Sequence, residues 1–300
     1  MIYDLNKSQI SHILKDQFDI CIVGAGAAGI VLADSLSNSG FKIALCEGGG
    51  DEYSEISQNN YKGKVIGDNY FELDIARLRF LGGSTNHWNG MCRPFSKIDF
   101  DRNYLGAKYN WPINFEDISK FQDEACKILE IDNDFEFNNN KSELINEIKF
   151  QFSPPVRFKD KYAKTLNNSK NISLLINANF SDISGENSLI KNASFESYNK
   201  KKVTVHAKKF IFAMGGIENS RYLLWFSKKY NSKFFNSNSP IGKYWMEHPH
   251  FTLGSAIVDK KILDTNYYTL NSSQQKKLKI LNCGFRINEV SNQATKSMIK

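Results

Sequence analysis

The stretch that decides the fold is Gly24-Ala25-Gly26-Ala27-Ala28-Gly29, which follows an apolar run at residues 18–23. Three glycines at this spacing are typical of a strand, a tight turn and a helix that together bind a dinucleotide. Gly24 permits the turn, Gly26 lets the backbone approach a pyrophosphate, and Gly29 lets the helix pack closely on the sheet. The sequence therefore predicts a βαβ unit near its N-terminal end.

The second strand of this unit supports the same interpretation, because residues 43–46 are apolar and are followed by Glu47. A carboxylate at this point accepts hydrogen bonds from ribose hydroxyls and repels a 2′-phosphate, which favours NAD or the adenosine half of FAD over NADP. Residues 30–36 have the spacing of the intervening helix, and the free N–H groups and positive dipole end at its N-terminus attract phosphate. A glycine-rich turn alone is also compatible with a purely structural role.

Composition narrows the class of protein. The chain has 300 residues and a formal net charge of +7 that comes from dispersed lysines, with no nucleic-acid motif beside them, so we expect no nucleic-acid partner. No apolar run approaches the roughly 18–20 residues of a membrane span, and the first residues lack a secretory pattern. We therefore expect a cytoplasmic protein without a transmembrane segment. Five scattered cysteines predict neither a disulfide framework nor a metal site.

Two further segments indicate a ligand. Residues 82–90 are so rich in glycine and small polar residues that we predict a loop offering its backbone to a ligand. A second strand, glycine and helix sequence follows at residues 209–213, Gly215 and residues 218–226. Two glycine turns that face one ligand are what a large dinucleotide requires. The other predicted elements are a helix at 114–130, an extended segment at 150–158, strands at 171–176 and 180–183, and a hairpin at 191–197 and 202–205.

Taken in order, these motifs carry a resemblance to a known family. They are the glycine turn with Glu47, the 82–90 loop with Arg93-Pro94-Phe95, Trp111-Pro112-Ile113, residues 213–219 and residues 242–249. On them the chain resembles the glucose–methanol–choline (GMC) family of FAD-dependent oxidoreductases, most of all its bacterial sugar and polyol dehydrogenases and pyranose 2-oxidase.

The resemblance implies an α/β fold, in which an FAD-binding Rossmann-like domain is interleaved with an antiparallel-sheet substrate domain. The implied boundaries are FAD-binding domain at 1–100 and 166–240, and substrate domain at 101–165 and, incomplete, at 241–300.

The resemblance also implies the cofactor contacts. His87 matches the position that tethers flavin covalently in pyranose 2-oxidase, and the alternative is that it only hydrogen-bonds or packs beside the ring. Phe180 matches a position whose backbone reaches the adenine. The other implied contacts are Gly24, Gly26, Ala27, Gly29, Glu47, Gly82, Gly83, Ser84, Asn86, Asn89 and Gly215.

The implied reaction is oxidation of the CH–OH group of an alcohol, with a sugar or polyol as first guess, by hydride transfer to flavin N5 while a base takes the hydroxyl proton. The family's histidine base lies in a C-terminal segment that has no counterpart up to Lys300. The expectation is thus a C-terminally truncated chain, an incomplete sequence, or one half of a split protein that a separate polypeptide complements. No catalytic residue is assigned, and His248 before Pro249 is interpreted as structural rather than as the base.

Two alternatives stay open from other classes. An NAD-dependent Rossmann dehydrogenase would explain the first glycine turn but not the 82–90 loop. A non-catalytic or partner-dependent FAD-binding fragment would explain the missing base. The sequence does not identify the electron acceptor.

Overall fold

The computed structural model describes residues 1–7, 17–135, 143–231, 234, 239–248, 250–255 and 267–286. The chain divides into two compact units, one formed by Met1–Trp88 and Arg157–His248 and the other by Asn89–Val156 and Pro249–Lys300. Pro249 and much of the last predicted segment, 241–300, lie outside the described residues. The assignment of FAD-binding and substrate roles to domains stays a prediction.

Short strands and helices alternate along the chain. The strands are β1 Ile2–Asp4, β2 Phe18–Val23, β3 Ile43–Cys46, β4 Met91–Cys92, β5 Ile145–Ile148, β6 Gln151–Phe152, β7 Ile172–Ile176, β8 Asn179–Glu186, β9 Leu189–Glu196, β10 Lys202–Phe212, β11 Tyr267–Leu270 and β12 Gly284–Arg286. The helices are α1 Ala27–Asn38, α2 Glu55–Gln58, α3 Lys97–Phe100, α4 Phe115–Ser119, α5 Gln122–Leu129, α6 Phe158–Lys161, α7 Ala163–Asn168, α8 Gly216–Lys229 and α9 Ser272–Leu278. Among the described residues, none of these helices has the length and apolar character needed to cross a bilayer.

The first unit is built on a seven-stranded sheet of order β1-β7-β3-β2-β10-β9-β8. Pairing is parallel from β1 to β10 and antiparallel from β10 to β8. β2, β3 and β7 are almost entirely buried, as apolar runs in a parallel sheet covered on both faces must be. The predicted α/β class, with the βαβ unit β2-α1-β3, is confirmed. β1 was not predicted, because three residues carry too little pattern.

β10 differs from the sequence prediction of two separate strands at 202–205 and 209–213. It is one strand, whose first part pairs antiparallel with β9 and whose second part pairs parallel with β2. His206, Lys208 and Lys209 are exposed and interrupt the apolar pattern, which is why the sequence divides there. Its C-terminal end is half-buried rather than fully buried as predicted.

Aromatic rings form the core where α8 covers the antiparallel end of the sheet. The ring of Phe180 on β8 lies 5.6 Å from Phe195, 5.0 Å from Tyr222 and 5.4 Å from Phe226, measured between centroids. Phe195 and Phe226 are fully buried, and burying such rings is worth roughly 1.5–3 kcal/mol each. This cluster fixes α8, and with it the glycine turn that precedes the helix.

The second unit carries antiparallel sheets. One has the order β12-β11-β5, and the other pairs β4 with β6. The helix predicted over 114–130 is instead two helices, α4 and α5. The N–H of Phe121 bonds the carbonyl of Ile118, only three residues back, so the hydrogen-bond ladder tightens and breaks there. Both side chains, placed on the predicted apolar face, are about half exposed.

Candidate functional site

The first glycine turn leaves no room for side chains at two of its three glycines. Gly24 has φ +103°, and a methyl carbon there would lie 2.5 Å from the carbonyl oxygen of Ala213. A methyl carbon on Gly29 would lie 1.9 Å from the carbonyl oxygen of Gly24. The turn and the close contact of helix and strand therefore both require glycine, as the motif predicts.

Gly26 presents the opposite environment. A methyl carbon on it would meet no atom within 4 Å among the described residues beyond its chain neighbours. Gly26 is the N-cap of α1, and no described side chain caps this helix or places an acidic group in its first turn. The first N–H groups of a helix lack intrahelical partners and carry partial positive charge. The structure thus leaves open space in front of a group of hydrogen-bond donors.

Glu47 ties the turn to the end of β3. One carboxylate oxygen accepts the N–H of Ala25 at 2.9 Å, and the other accepts the N–H of Gly49 at 2.8 Å. The residue is buried, with 7% of its surface exposed. Because each carboxylate oxygen has two acceptor sites, both retain one after these bonds are made. Glu47 therefore shapes the turn, and its predicted ribose contact stays a prediction.

The 82–90 loop begins directly against this turn. Gly82 has φ +93° and donates its N–H to the carbonyl of Ala25 at 2.9 Å. A methyl carbon on Gly83 would lie 3.1 Å from the Cα of Gly26. Residues 83–86 form a single 3-10 turn, in which Ser84 Oγ accepts the N–H of Leu78 and Asn86 Nδ2 donates to the carbonyl of Leu81. The two predicted glycine motifs thus form one surface.

His87 ends the 3-10 turn, where its N–H donates to the carbonyl of Ser84 at 3.3 Å. Burial, followed by the positive charge of Arg157, lowers the pKa of His87 below its ordinary value of 6.5. The imidazole is therefore neutral at neutral pH. A neutral ring has a free nitrogen lone pair, which both hydrogen-bond acceptance and covalent attachment require. The flavin tether itself stays a prediction.

The second glycine turn adjoins the first. Gly215, with φ +83°, is the N-cap of α8, and a methyl carbon on it would meet no described atom within 4 Å. The Asn219 side chain closes this turn by accepting the N–H of Met214 and donating to the carbonyl of Phe212. Because Ala213 packs on Gly24, the turns that precede α1 and α8 are neighbours.

Three candidate site residues named from the sequence lie in surroundings that differ from those of the two glycine turns. The Phe180 ring lies in the aromatic core, and its carbonyl accepts the hydroxyl of Tyr222 at 2.7 Å. Asn89 belongs to the second unit, where its side chain accepts the N–H of Met91 at 3.1 Å. His248 is exposed, and its N–H donates to the carboxylate of Glu247. The adenine contact of Phe180 and the cofactor contact of Asn89 stay predictions.

Hydrogen bonds that no sequence pattern indicates connect Arg79, Tyr198 and Gly48, and we call this group the Arg79 brace. Arg79 donates from Nη1 to the Tyr198 hydroxyl at 2.7 Å and to Ser57 Oγ at 3.1 Å. The Tyr198 hydroxyl in turn donates to the carbonyl of Gly48 at 2.9 Å. The guanidinium packs so closely on Gly48 that a methyl carbon there would lie 2.2 Å from it. No local pattern connects these residues, so no sequence signal would have found the brace.

Two arginines form ion pairs with the buried Glu218 in the first turn of α8. Glu218, 5% exposed, accepts Arg77 Nη1 at 3.2 Å and Arg221 Nη2 at 2.6 Å. The Arg77 guanidinium also lies 4.0 Å from the ring centroid of Tyr61. Burial, and then the negative charge of Glu47, raises the pKa of Tyr61 to about 12. Tyr61 therefore keeps its proton and remains a hydrogen-bond donor at neutral pH.

The known proteins that are similar to this chain have low sequence identity to it. No family model matches the chain. An uncharacterized protein of Synechocystis sp. is 27% identical over 127 residues, which cover 39% of this chain and 30% of that protein.

The solved structures similar to this chain include two oxidases and an FAD-dependent oxidoreductase. Formate oxidase of Aspergillus oryzae, studied for its FAD modification, is 15% identical with a TM-score of 0.43, over 70% of this chain and 47% of that one. Pyridoxine 4-oxidase of Mesorbium loti is 17% identical with a TM-score of 0.43, and the match covers 68% of this chain and 50% of that one. An FAD-dependent oxidoreductase of Chaetomium thermophilum is 15% identical with a TM-score of 0.47, and the match covers 68% of this chain and 46% of that one. The chain spans about half the length of these proteins.

Proposed function

We propose that the first unit binds FAD, with the pyrophosphate seated on the N-terminus of α1. The observation that carries this proposal is the open space at Gly26, bordered by glycines at which no side chain fits. A pyrophosphate there would accept hydrogen bonds from the first N–H groups of the helix. Gly83 would complete the seat, because its lack of a side chain keeps the loop close to Gly26.

Glu47 would hold the adenosine ribose. Its two backbone bonds fix the carboxylate, and its remaining acceptor sites suit two ribose hydroxyls. A negative charge at this point disfavours a 2′-phosphate, so NADP is a poor fit. Gly215, also open, would give a long dinucleotide a second contact at the N-terminus of α8.

The activity that we propose is that of a GMC-type oxidoreductase, acting on the CH–OH group of an alcohol such as a sugar or polyol. Bound FAD supplies the acceptor for the hydride of that carbon. The residues described here would bind and orient the cofactor, with neutral His87 beside it. A base must also take the hydroxyl proton, and we assign that role to no residue. We further propose, as a partner of this chain, a separate polypeptide that supplies this base.

The test is the visible absorption spectrum of the purified chain, as isolated and after addition of FAD. Flavin bands that stay with the protein through gel filtration support the proposal. After acid precipitation, colour in the pellet would assign a covalent tether, and colour in the supernatant would exclude one. A colourless chain that takes up NAD but not FAD would establish the dehydrogenase alternative instead.

A further inference from the structure

Arg157 binds the backbone on both sides of His87. From one nitrogen, Nη1, it donates to the carbonyl of Thr85 at 2.6 Å and to the carbonyl of Trp88 at 3.0 Å. The charged donor thus connects the residue two before the histidine with the residue one after it. Hydrogen bonds from charged donors are stronger than those from neutral donors.

The residues that follow Arg157 hold the start of the same loop. Phe158 donates its N–H to Thr85 Oγ1 at 3.3 Å, and Thr85 Oγ1 donates to the carbonyl of Gly82 at 2.7 Å. Lys159 packs against Gly82, since a methyl carbon on Gly82 would lie 3.2 Å from the Cβ of Lys159. The segment 157–159 therefore fixes the loop from the glycine that contacts the first turn to the residue after His87.

We propose that Arg157 is a positioning residue, which holds the His87 imidazole towards the cofactor assigned to this unit. This inference rests on the proposed FAD binding. Arg157 does not itself contact the cofactor in this scheme. It acts through the loop, by fixing the carbonyls on either side of His87.

The charge of Arg157 adds a second effect, because it helps to lower the pKa of His87 after burial. Lys159 is the other cation on this segment, and its ammonium group pairs with Asp51 at 3.0 Å and with Glu52 at 2.5 Å. Of these two cations, Arg157 rather than Lys159 is the one whose charge lowers the pKa of the imidazole. One side chain would both orient the ring and keep it neutral.

The experiment compares Arg157→Met, Arg157→Lys and the control Lys164→Met, which removes one exposed positive charge from neighbouring helix α7. NMR titration of the cofactor-free chain gives the pKa of His87, whose signal is assigned with His87→Asn. Titration with FAD gives the dissociation constant of each variant.

Arg157→Met is expected to raise the pKa of His87 and to weaken FAD binding about tenfold. Arg157→Lys should leave the pKa lowered but weaken FAD binding several-fold, because an ammonium group lacks the fixed planar donors of guanidinium. Lys164→Met should match the wild type in both. If Arg157→Met folds and matches the wild type in both measurements, the inference is wrong. A wild-type chain that takes up no FAD would overturn the proposed function, and that result is read separately from the variants.

Discussion

Gly83 and Gly26 lie so close that a methyl carbon on the first would be 3.1 Å from the Cα of the second. The N–H of Gly82 donates to the carbonyl of Ala25 beside them. Two glycine-rich segments far apart in sequence therefore form one surface, at the N-terminus of α1.

Gly26→Val should abolish flavin retention without unfolding the chain. The new side chain would project into the open space and displace a pyrophosphate, so we expect the FAD dissociation constant to rise at least about 100-fold, roughly 2.7 kcal/mol. The measurement is FAD titration followed by absorbance, together with the midpoint of thermal unfolding. Gly254→Val is the control, since a methyl carbon there also meets no described atom. Undiminished FAD binding by Gly26→Val would refute the pyrophosphate site.

Gly29→Ala should act in the opposite way, by destabilising the fold. Its methyl carbon would lie 1.9 Å from the carbonyl oxygen of Gly24, so the helix must move off the strand. Overpacking of this kind costs about 1–3 kcal/mol. Urea unfolding of the variant, with Gly254→Ala as control, measures the loss. A free energy of unfolding equal to that of the wild type would show that the contact is not as close as described.

Glu47→Gln tests the structural part of the carboxylate's role. The amide retains one acceptor oxygen for the two N–H groups of Ala25 and Gly49, so one buried donor loses its partner. An unsatisfied buried donor costs about 1–3 kcal/mol of stability. Denaturant unfolding should detect this loss, whereas the exposed Glu186→Gln should leave stability unchanged. Equal stability of Glu47→Gln and wild type would argue that Glu47 serves only a ligand.

The lowered pKa of His87 predicts a pH dependence of stability. Because the folded state disfavours protonation, the unfolded chain binds the proton more readily, so stability is complete above the ordinary pKa of 6.5. It falls as the pH drops below that value and levels off below the folded pKa. His87→Gln should reduce the difference in unfolding free energy between about pH 7.5 and about pH 5. The control is His206→Gln, which replaces an exposed residue of β10. If the unfolding free energy of His87→Gln differs between the two pH values as much as that of the wild type, the prediction is wrong.

Tyr198→Phe removes two hydrogen bonds of the Arg79 brace. The variant loses the bond that the hydroxyl donates to Gly48 and the one that it accepts from Arg79. We expect a loss of about 1–3 kcal/mol in unfolding free energy, because one of the two bonds involves a charged donor. Chemical denaturation measures it, with the half-exposed Tyr53→Phe as the comparison. If both variants unfold at the same denaturant concentration, the brace adds nothing to stability.

The sequence was sufficient where the structural signal is local. The strand, the glycine turn and α1 were predictable because turn, helix start and close packing are all specified within residues 18–29. The 82–90 loop could be recognised from its glycines, but not its contact with Gly26, which depends on how the chain folds back.

Long-range pairs could not be predicted. Arg157 and Trp88 are 69 residues apart, and Arg79 and Tyr198 are 119 apart, with no periodicity to link them. The break at Phe121 was missed because its apolar spacing fits a continuous helix, while the backbone closes a three-residue turn. Such features follow from tertiary packing, which overrides local preference.

The double pairing of β10 has a consequence for the order of folding. β2 pairs with residues 207–212 of β10. During synthesis, this edge of β2 therefore stays unpaired until nearly two hundred further residues have been made. At a synthesis rate of about 5–20 residues per second, that delay is roughly 10–40 s. During this time an apolar strand has an open edge, the kind of surface that aggregates or recruits a chaperone. The first part of β10 also forms an antiparallel hairpin with β9. Formation of this local hairpin therefore brings the second part of β10, the partner of β2, into the sheet.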